Sequence, residues 1–456
     1  MNSATNKSSF SNIFKEASNY IAGGVVSLNR KVTPNIVFRS GKGSKITDIN
    51  GKEYIDYHAG FAPYLLGHNY TPVNDAVIKI LQQEWSLIGS GTNELEITLA
   101  KLLKEAVPSL ELLQITNTGS EATAHAIRLS RAYTQREDII LTLGGYNGWH
   151  NEVARAVIPS LQQTGKRVSP GEYPFITMSA GILENTKRKV HIVNFNDLAS
   201  VEYVMKRYPV ACVLTEPVLQ NIGVVLPGSG YLQGLVDLCE ANSAVCIFDE
   251  VKTGFRSALG GYQSIAGVTP HLSVFGKAVA NGYPLGVIGG KRQILELFDS
   301  PLPDKRVLIA GTYNAHPVNA AAAIATLKIL KNTQLYHSLA SCCSVLYNGL
   351  EQLFKEKGIA AVVSRNASAY CVYFTEKAPS DLHDILQNAD TTFDLKYRRA
   401  LIEKGVYHIP IACKQGSVST AHTEDDIYKT LQLTREVLQK ILIVFGLLFS
   451  VAGFGS

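Results

Sequence analysis

The sequence predicts an α/β protein built on a mainly parallel central sheet flanked by helices, with a smaller α+β domain formed from the two chain ends. Three observations carry that expectation. Short apolar runs recur between turn residues, amphipathic stretches of helical length separate them, and 46% of the 456 residues are hydrophobic against 18% charged. Runs that are apolar throughout suit strands covered on both faces, and helical stretches between them suit crossover connections.

The strands are read in order as "LLQIT" (112–116), "DIILTL" (138–143), "VHIVNF" (190–195), "VACVLTE" (210–216), "AVCIFDE" (244–250) and "LSVFG" (272–276). Between them "SEATAHAIRLSRAYTQR" (120–136) and "YLQGLVDLCEAN" (231–242) have the spacing of crossover helices. This defines a large domain over residues 75–315. Residues 1–74 form an N-terminal segment assigned to the small domain, and 316–440, with the strand-like "AYCVYF" (369–374), form its C-terminal part. The tail 441–456, "ILIVFGLLFSVAGFGS", carries no charge. Its 16 residues fall short of the roughly 20 needed to span a bilayer, so it is expected to pack on the fold or a partner subunit rather than a membrane.

A net charge of +5 without a basic, aromatic-laced run names no nucleic-acid partner. The seven cysteines, from Cys212 to Cys413, show no C-x-x-C spacing. They read as free thiols in a reducing compartment, and no metal site is expected. The N-terminus has no long apolar segment of the secretory kind, so a cytoplasmic location is expected.

In a parallel sheet, ligands gather at the carboxyl ends of the strands. After "LLQIT" comes "NTGSEA", where Gly119 permits close backbone approach and Ser120 opens a helix with free N–H groups suited to a phosphate. After "IILTL" comes "GGYNGWH", which sets the ring of Tyr146 on a glycine turn. Asp249 ends the run "AVCIF", and Lys277 follows "LSVFG". Phosphate cradle, ring stack, carboxylate and amine together are the equipment of pyridoxal 5′-phosphate, with Lys277 as its covalent anchor.

From about Gly23 to Ile427 the chain resembles the fold-type I, class III aminotransferases, and within them most closely the glutamate-1-semialdehyde 2,1-aminomutase family. The resemblance runs through "GGVVSLNR", "FAPYLLGHNYTPV", "NTGSEATAHAIRLSRAYT", "GGYNGWH", "EPVLQNIGVVLPGSGYL", "IFDEVKTGFR", "GGYQSIAGVTPHLSVFGKAVANGYPLGVIGG" and "GTYNAHPVNAAAAIATL". It implies amino-group transfer on a carboxylate-bearing substrate, by a mutase or by a transaminase using an external donor. Lys277 would be the catalytic lysine, Asp249 would pair with the ring nitrogen, and Val251 and Tyr146 would cover the two ring faces. Gly119 and Ser120 would hold the phosphate and Asn221 would contact the ring hydroxyl. Thr312 would reach the phosphate of a neighbouring subunit, which implies a homodimer.

The resemblance also implies that Arg30, with Ser27 beside it, grips the substrate carboxylate. Four departures fall near that pocket. Leu28 stands for the family's proline, Phe61 for its tryptophan, Asn147 for its histidine and Lys414 for its glutamate. The last reverses a charge at the substrate end.

Overall fold

The computed structural model describes residues 2–452, with side chains over 10–443. Near the N-terminus β1 (Phe38–Lys42), β2 (Lys45–Asp48) and β3 (Glu53–Asp56) form an antiparallel meander. The central sheet then takes β4 (Leu112–Thr116), β5 (Asp138–Thr142), β6 (Val190–Val193), β7 (Val210–Thr215), β8 (Val245–Asp249), β9 (Leu272–Phe275) and β10 (Gly286–Gly290). Their order is β4-β10-β9-β8-β7-β5-β6, parallel from β9 to β6, with β10 antiparallel to both its neighbours. Every side chain of β5 to β10 is buried, as continuous apolar runs require of a sheet covered on both faces.

All six apolar runs form strands, but β10, "GVIGG", was not foreseen, because three glycines in five residues read as a turn. The glycines are there for space: a Cβ on Gly286 would collide with the Thr118 carbonyl, and one on Gly290 with that of His271.

Toward the C-terminus β11 (Val362–Asn366) and β12 (Ala369–Tyr373) pair antiparallel, and β14 (Gly416–Ser417) pairs with β12. Between them in the chain, β13 (Val406–Tyr407) lies parallel to β3 instead, with Val406 opposite Ile55 and Tyr407 opposite Asp56. The two chain ends therefore share one sheet. A continuous core runs from Ile115 and Phe275 on the central sheet to Leu346, Tyr370 and Ile427.

The last helix spans Glu424–Ala452 without a break at Lys440. The first residues of the apolar tail thus continue a helix rather than begin a new element. Residues 453–456, and the contacts of side chains beyond 443, lie outside the described residues. Among the described residues no helix is long and apolar enough to cross a membrane.

Candidate active site

Two adjoining cavities open at the carboxyl ends of the central strands. The smaller, about 200 Å³, is lined by Gly119, Ser120, Tyr146, Asn221, Asp249, Val251 and Lys277, together with Asn147, Gly148, Glu216 and Lys252. The larger, about 370 Å³, takes its walls from Ser27, Arg30, Phe61 and Lys414 and from His58, Ile409 and Gln415. Tyr146, Asn221, Lys252 and Lys277 face both.

The first wall is the start of the helix Gly119–Thr134 after β4. Thr118, not Ser120, caps it by accepting the Glu121 N–H at 3.2 Å. Gly119 is required by its neighbour, since a Cβ would sit 2.7 Å from Val251 Cγ2. At Gly148, with φ of +123°, a Cβ would meet Ser120 Oγ at 2.8 Å. These close approaches set bare backbone and the Ser120 hydroxyl against the cavity, a shape that admits a phosphate.

The turn after β5 carries Tyr146 and Asn147. Glu216, at the end of β7, fixes it by accepting the Tyr146 N–H at 2.9 Å, along with Gln220 N–H and Asn221 Nδ2 at 2.9 Å each. The Tyr146 hydroxyl is raised above its ordinary pKa chiefly by burial and bonds the Asn29 side chain, which joins the N-terminal segment to this wall.

Asp249, 3% exposed at the end of β8, accepts Asn147 Nδ2 at 2.8 Å and the Val251 N–H at 3.0 Å. Burial, and then the charge of Glu216, push its carboxyl up to about 7. An anion so poorly solvated is stabilised by a cationic partner within the cavity. Asn147 Oδ1 is also buried without a partner.

Lys277 follows β9 with φ of +50°, a left-handed conformation uncommon for a residue with a side chain. Burial lowers the pKa of its amine, against the opposing pull of Asp249 and Glu216. A buried amine of lowered basicity, a buried carboxylate, a glycine-lined backbone edge and a tyrosine ring fit pyridoxal 5′-phosphate.

The larger cavity is built from distant segments. His58 to Ala62 cross it in a strained turn, with φ of +48° at Ala59, +69° at Phe61 and +79° at Ala62. Asp56 holds one end, accepting the His58 and Ala59 N–H groups at 2.8 and 3.1 Å. Arg256, fully buried, holds the other by donating to the Ala62 carbonyl at 2.7 Å. The same guanidinium binds Ser368 Oγ at 2.8 Å and the Val418 carbonyl at 3.1 Å.

Elsewhere on this wall Lys414 donates from Nζ to the Asn221 carbonyl, and burial lowers its pKa to about 8. Arg398, paired with Asp394 at 2.6 Å, braces that segment through the Lys414 carbonyl at 2.9 Å. Thr312 belongs to neither cavity; it is exposed on the loop before the helix Pro317–Leu330.

Sequence reasoning missed several lining residues, among them His58, Ile409 and Gln415 of the larger cavity and, in the smaller, Glu216 and Lys252. Glu216 ends β7 as Asp249 ends β8, so the strand-end rule that singled out Asp249 applied to it equally. Lys252, the lone cation of "DEVKTG", left no such signal, because only the fold turns it inward.

Residues 26–414 match the family model described as aminotransferase class-III. The chain is 37% identical over 433 residues to glutamate-1-semialdehyde 2,1-aminomutase of Desulforudis audaxviator, covering 94% of this chain and 96% of that one. The enzyme of the same name from Sulfurihydrogenibium azorense is also 37% identical, over 430 residues, 93% of this chain and 97% of that one. An omega-transaminase from Sphaerobacter thermophilus superimposes with a TM-score of 0.88 at 28% identity, covering 94% of this chain and 97% of that one.

Proposed function

Because the chain belongs to the class-III aminotransferases, we propose that it moves an amino group on a carboxylate-bearing substrate, with pyridoxal 5′-phosphate as cofactor and glutamate-1-semialdehyde as the leading substrate. The observation that carries this reading is the end-to-end similarity to proteins named as aminomutases, gathered around a cavity with the amine of Lys277 and the carboxylate of Asp249 on its walls.

The cofactor supplies an electrophilic carbon and a ring able to accept an electron pair. The chain supplies the rest. Lys277 Nζ, made less basic by burial, anchors the cofactor and then takes and returns a proton beside the reacting carbon. Asp249, locked by Asn147, holds the ring nitrogen protonated. Val251 and Tyr146 cover the ring faces, and Gly119 and Ser120 bind the phosphate through N–H and hydroxyl donors. Asn221 contacts the ring hydroxyl. Arg30, beside Ser27, takes the substrate carboxylate, for which a guanidinium fork is suited. Thr312, exposed on its own chain, reaches the phosphate of the second copy in a homodimer.

Lys414 favours a second reading, transamination with an external amino donor, because an ammonium there opposes a substrate that brings its own. Incubating the enzyme, charged with the amine form of the cofactor, with glutamate-1-semialdehyde alone separates the two. A mutase turns over repeatedly to 5-aminolevulinate. A single half-reaction per site marks the transaminase, and no change in cofactor absorbance removes the proposal.

A further inference from the structure

The larger cavity has an unbalanced wall. Arg30, Lys252, Lys277 and Lys414 line it, and none of its lining residues is a carboxylate. Among the described residues none of the four forms an ion pair. Of the acids around it, Asp56 accepts backbone N–H groups of the His58–Ala62 turn and the His68 ring, and Glu216 and Asp249 face the smaller cavity, where Glu216 is occupied by two backbone N–H groups and the Asn221 amide.

Lys277 is committed to the cofactor, so three cations remain for the substrate. Arg30 takes one carboxylate. Lys252 and Lys414 stand together, their Nζ atoms donating to the successive carbonyls of Gln220, at 2.8 Å, and Asn221. One hydrogen bond leaves each ammonium with donors to spare. Both side chains are held in place. Arg398 and Asp394 brace the backbone of Lys414, while Lys252 follows directly on the β8 turn. Burial depresses both amines, with the charge of Glu216 pulling the other way. An anion entering between them relieves that penalty, whereas a substrate ammonium adds to it.

We infer that the compound handled in this cavity carries two anionic groups, one bound by Arg30 and the second, a carboxylate or a phosphate, bound between Lys252 and Lys414. The inference rests on the amino-transfer reading and favours its second form, transamination with an external partner, over glutamate-1-semialdehyde, which has one carboxylate and its own ammonium. Lys252 and Lys414 become specificity-determining residues, and a doubly anionic amino donor or acceptor fits better than a mono-anion that brings its own ammonium.

The test uses the holoenzyme and two kinds of ligand. By titration calorimetry, glutarate, which has no amine, should bind at least tenfold more tightly than butyrate. Lys414→Met and Lys252→Met should each shrink that ratio toward one, and Lys414→Arg should keep most of it. Equal binding of glutarate and butyrate by the parent overturns the inference without recourse to any variant.

In single-turnover mixing, glutamate should bleach the cofactor absorbance at least tenfold faster than norvaline, which lacks only the second carboxylate. The 2-amino-4-phosphonobutyrate arm identifies the source, since a faster reaction than glutamate assigns the second group as a phosphate. Norvaline reacting as fast as both overturns the inference while leaving amino transfer standing. Glutarate selectivity without a reaction from any amine keeps the two-anion site and removes the amino-transfer reading.

Discussion

The two cavities meet at Lys277 yet are built in opposite ways. Side chains unique to the smaller one all lie between residues 119 and 251, each on the segment that follows a strand of one sheet. The larger one draws on residues 27–62, 146–178 and 409–417, segments joined only after the chain has folded back on itself. The first is rigid by inheritance from the sheet. The second is held by individual clamps, Asp56 and Arg256 on one side and Arg398 on the other. On the proposed function, chemistry falls to the part that the sheet positions, and selectivity to the part that single side chains can retune.

Substitutions in the smaller cavity should therefore have the larger effects. Lys277→Ala should lower kcat by roughly a thousandfold or more while leaving cofactor binding detectable. Borohydride should then fix no cofactor to the chain, and a surviving reducible adduct would place the anchor on another amine, with Lys252 the nearest candidate.

Asp249→Asn should cost about a hundredfold in kcat yet stabilise the cofactor-free protein. The carboxyl stands at about 7 in the fold against 3.8 ordinarily. Between those values the folded chain holds a proton that the unfolded chain has lost. Stability is thus fullest at low pH and falls as pH rises through about 7, by at most ~4 kcal/mol. Thermal unfolding of the two apoproteins should diverge as pH rises toward 7 and stay apart above it, with the Asp249→Asn protein melting higher. Coincident melting curves from pH 5 to 8 would show that the carboxylate is better solvated than its burial implies.

Thr312 asks whether the smaller cavity is complete within one chain. Mixing Lys277→Ala chains with Thr312→Ala chains, each severely impaired, should restore activity once subunits exchange. Continued inactivity after mass spectrometry has verified exchange would return Thr312 to its own chain.

In the larger cavity the effects should be about tenfold. Lys414→Glu should raise kcat/KM for glutamate-1-semialdehyde and lower it for a dicarboxylate, each tenfold step being ~1.4 kcal/mol of transition-state interaction. Kinetics unmoved for both substrates would separate Lys414 from the bound ligand. The smallest effect belongs to Ala62→Gly. Relieving a left-handed alanine should raise stability by about 0.5–1 kcal/mol while loosening the turn beside Phe61 enough to raise KM severalfold. A stabilised variant with unchanged KM would mean that the strain serves no positioning role.

The same contrast explains what the sequence could and could not disclose. Asp249 and Lys277 were legible because each follows an apolar run, and a strand end has a known direction. Ser27, Arg30, Phe61 and Lys414 came only through resemblance, since no local pattern says that residues nearly 400 apart share a wall. β10 stayed hidden because its glycines answer to neighbouring carbonyls rather than to a turn. Lys252 stayed hidden because a lone lysine beside an acidic pair reads as solvated until the turn after β8 is seen to aim it inward.

The parallel pairing of β3 with β13 has a consequence for the order of synthesis. A chain emerging from the ribosome delivers every side chain of the smaller cavity by residue 277, while Ile409, Lys414 and Gln415 are still to be translated. Until they arrive the segment around Arg30 and Phe61 meets Tyr146 and Arg256 but lacks the wall that these three residues form. The reactive amine is therefore made early and the compartment that chooses its substrate is made last, so selective turnover begins only with a finished polypeptide.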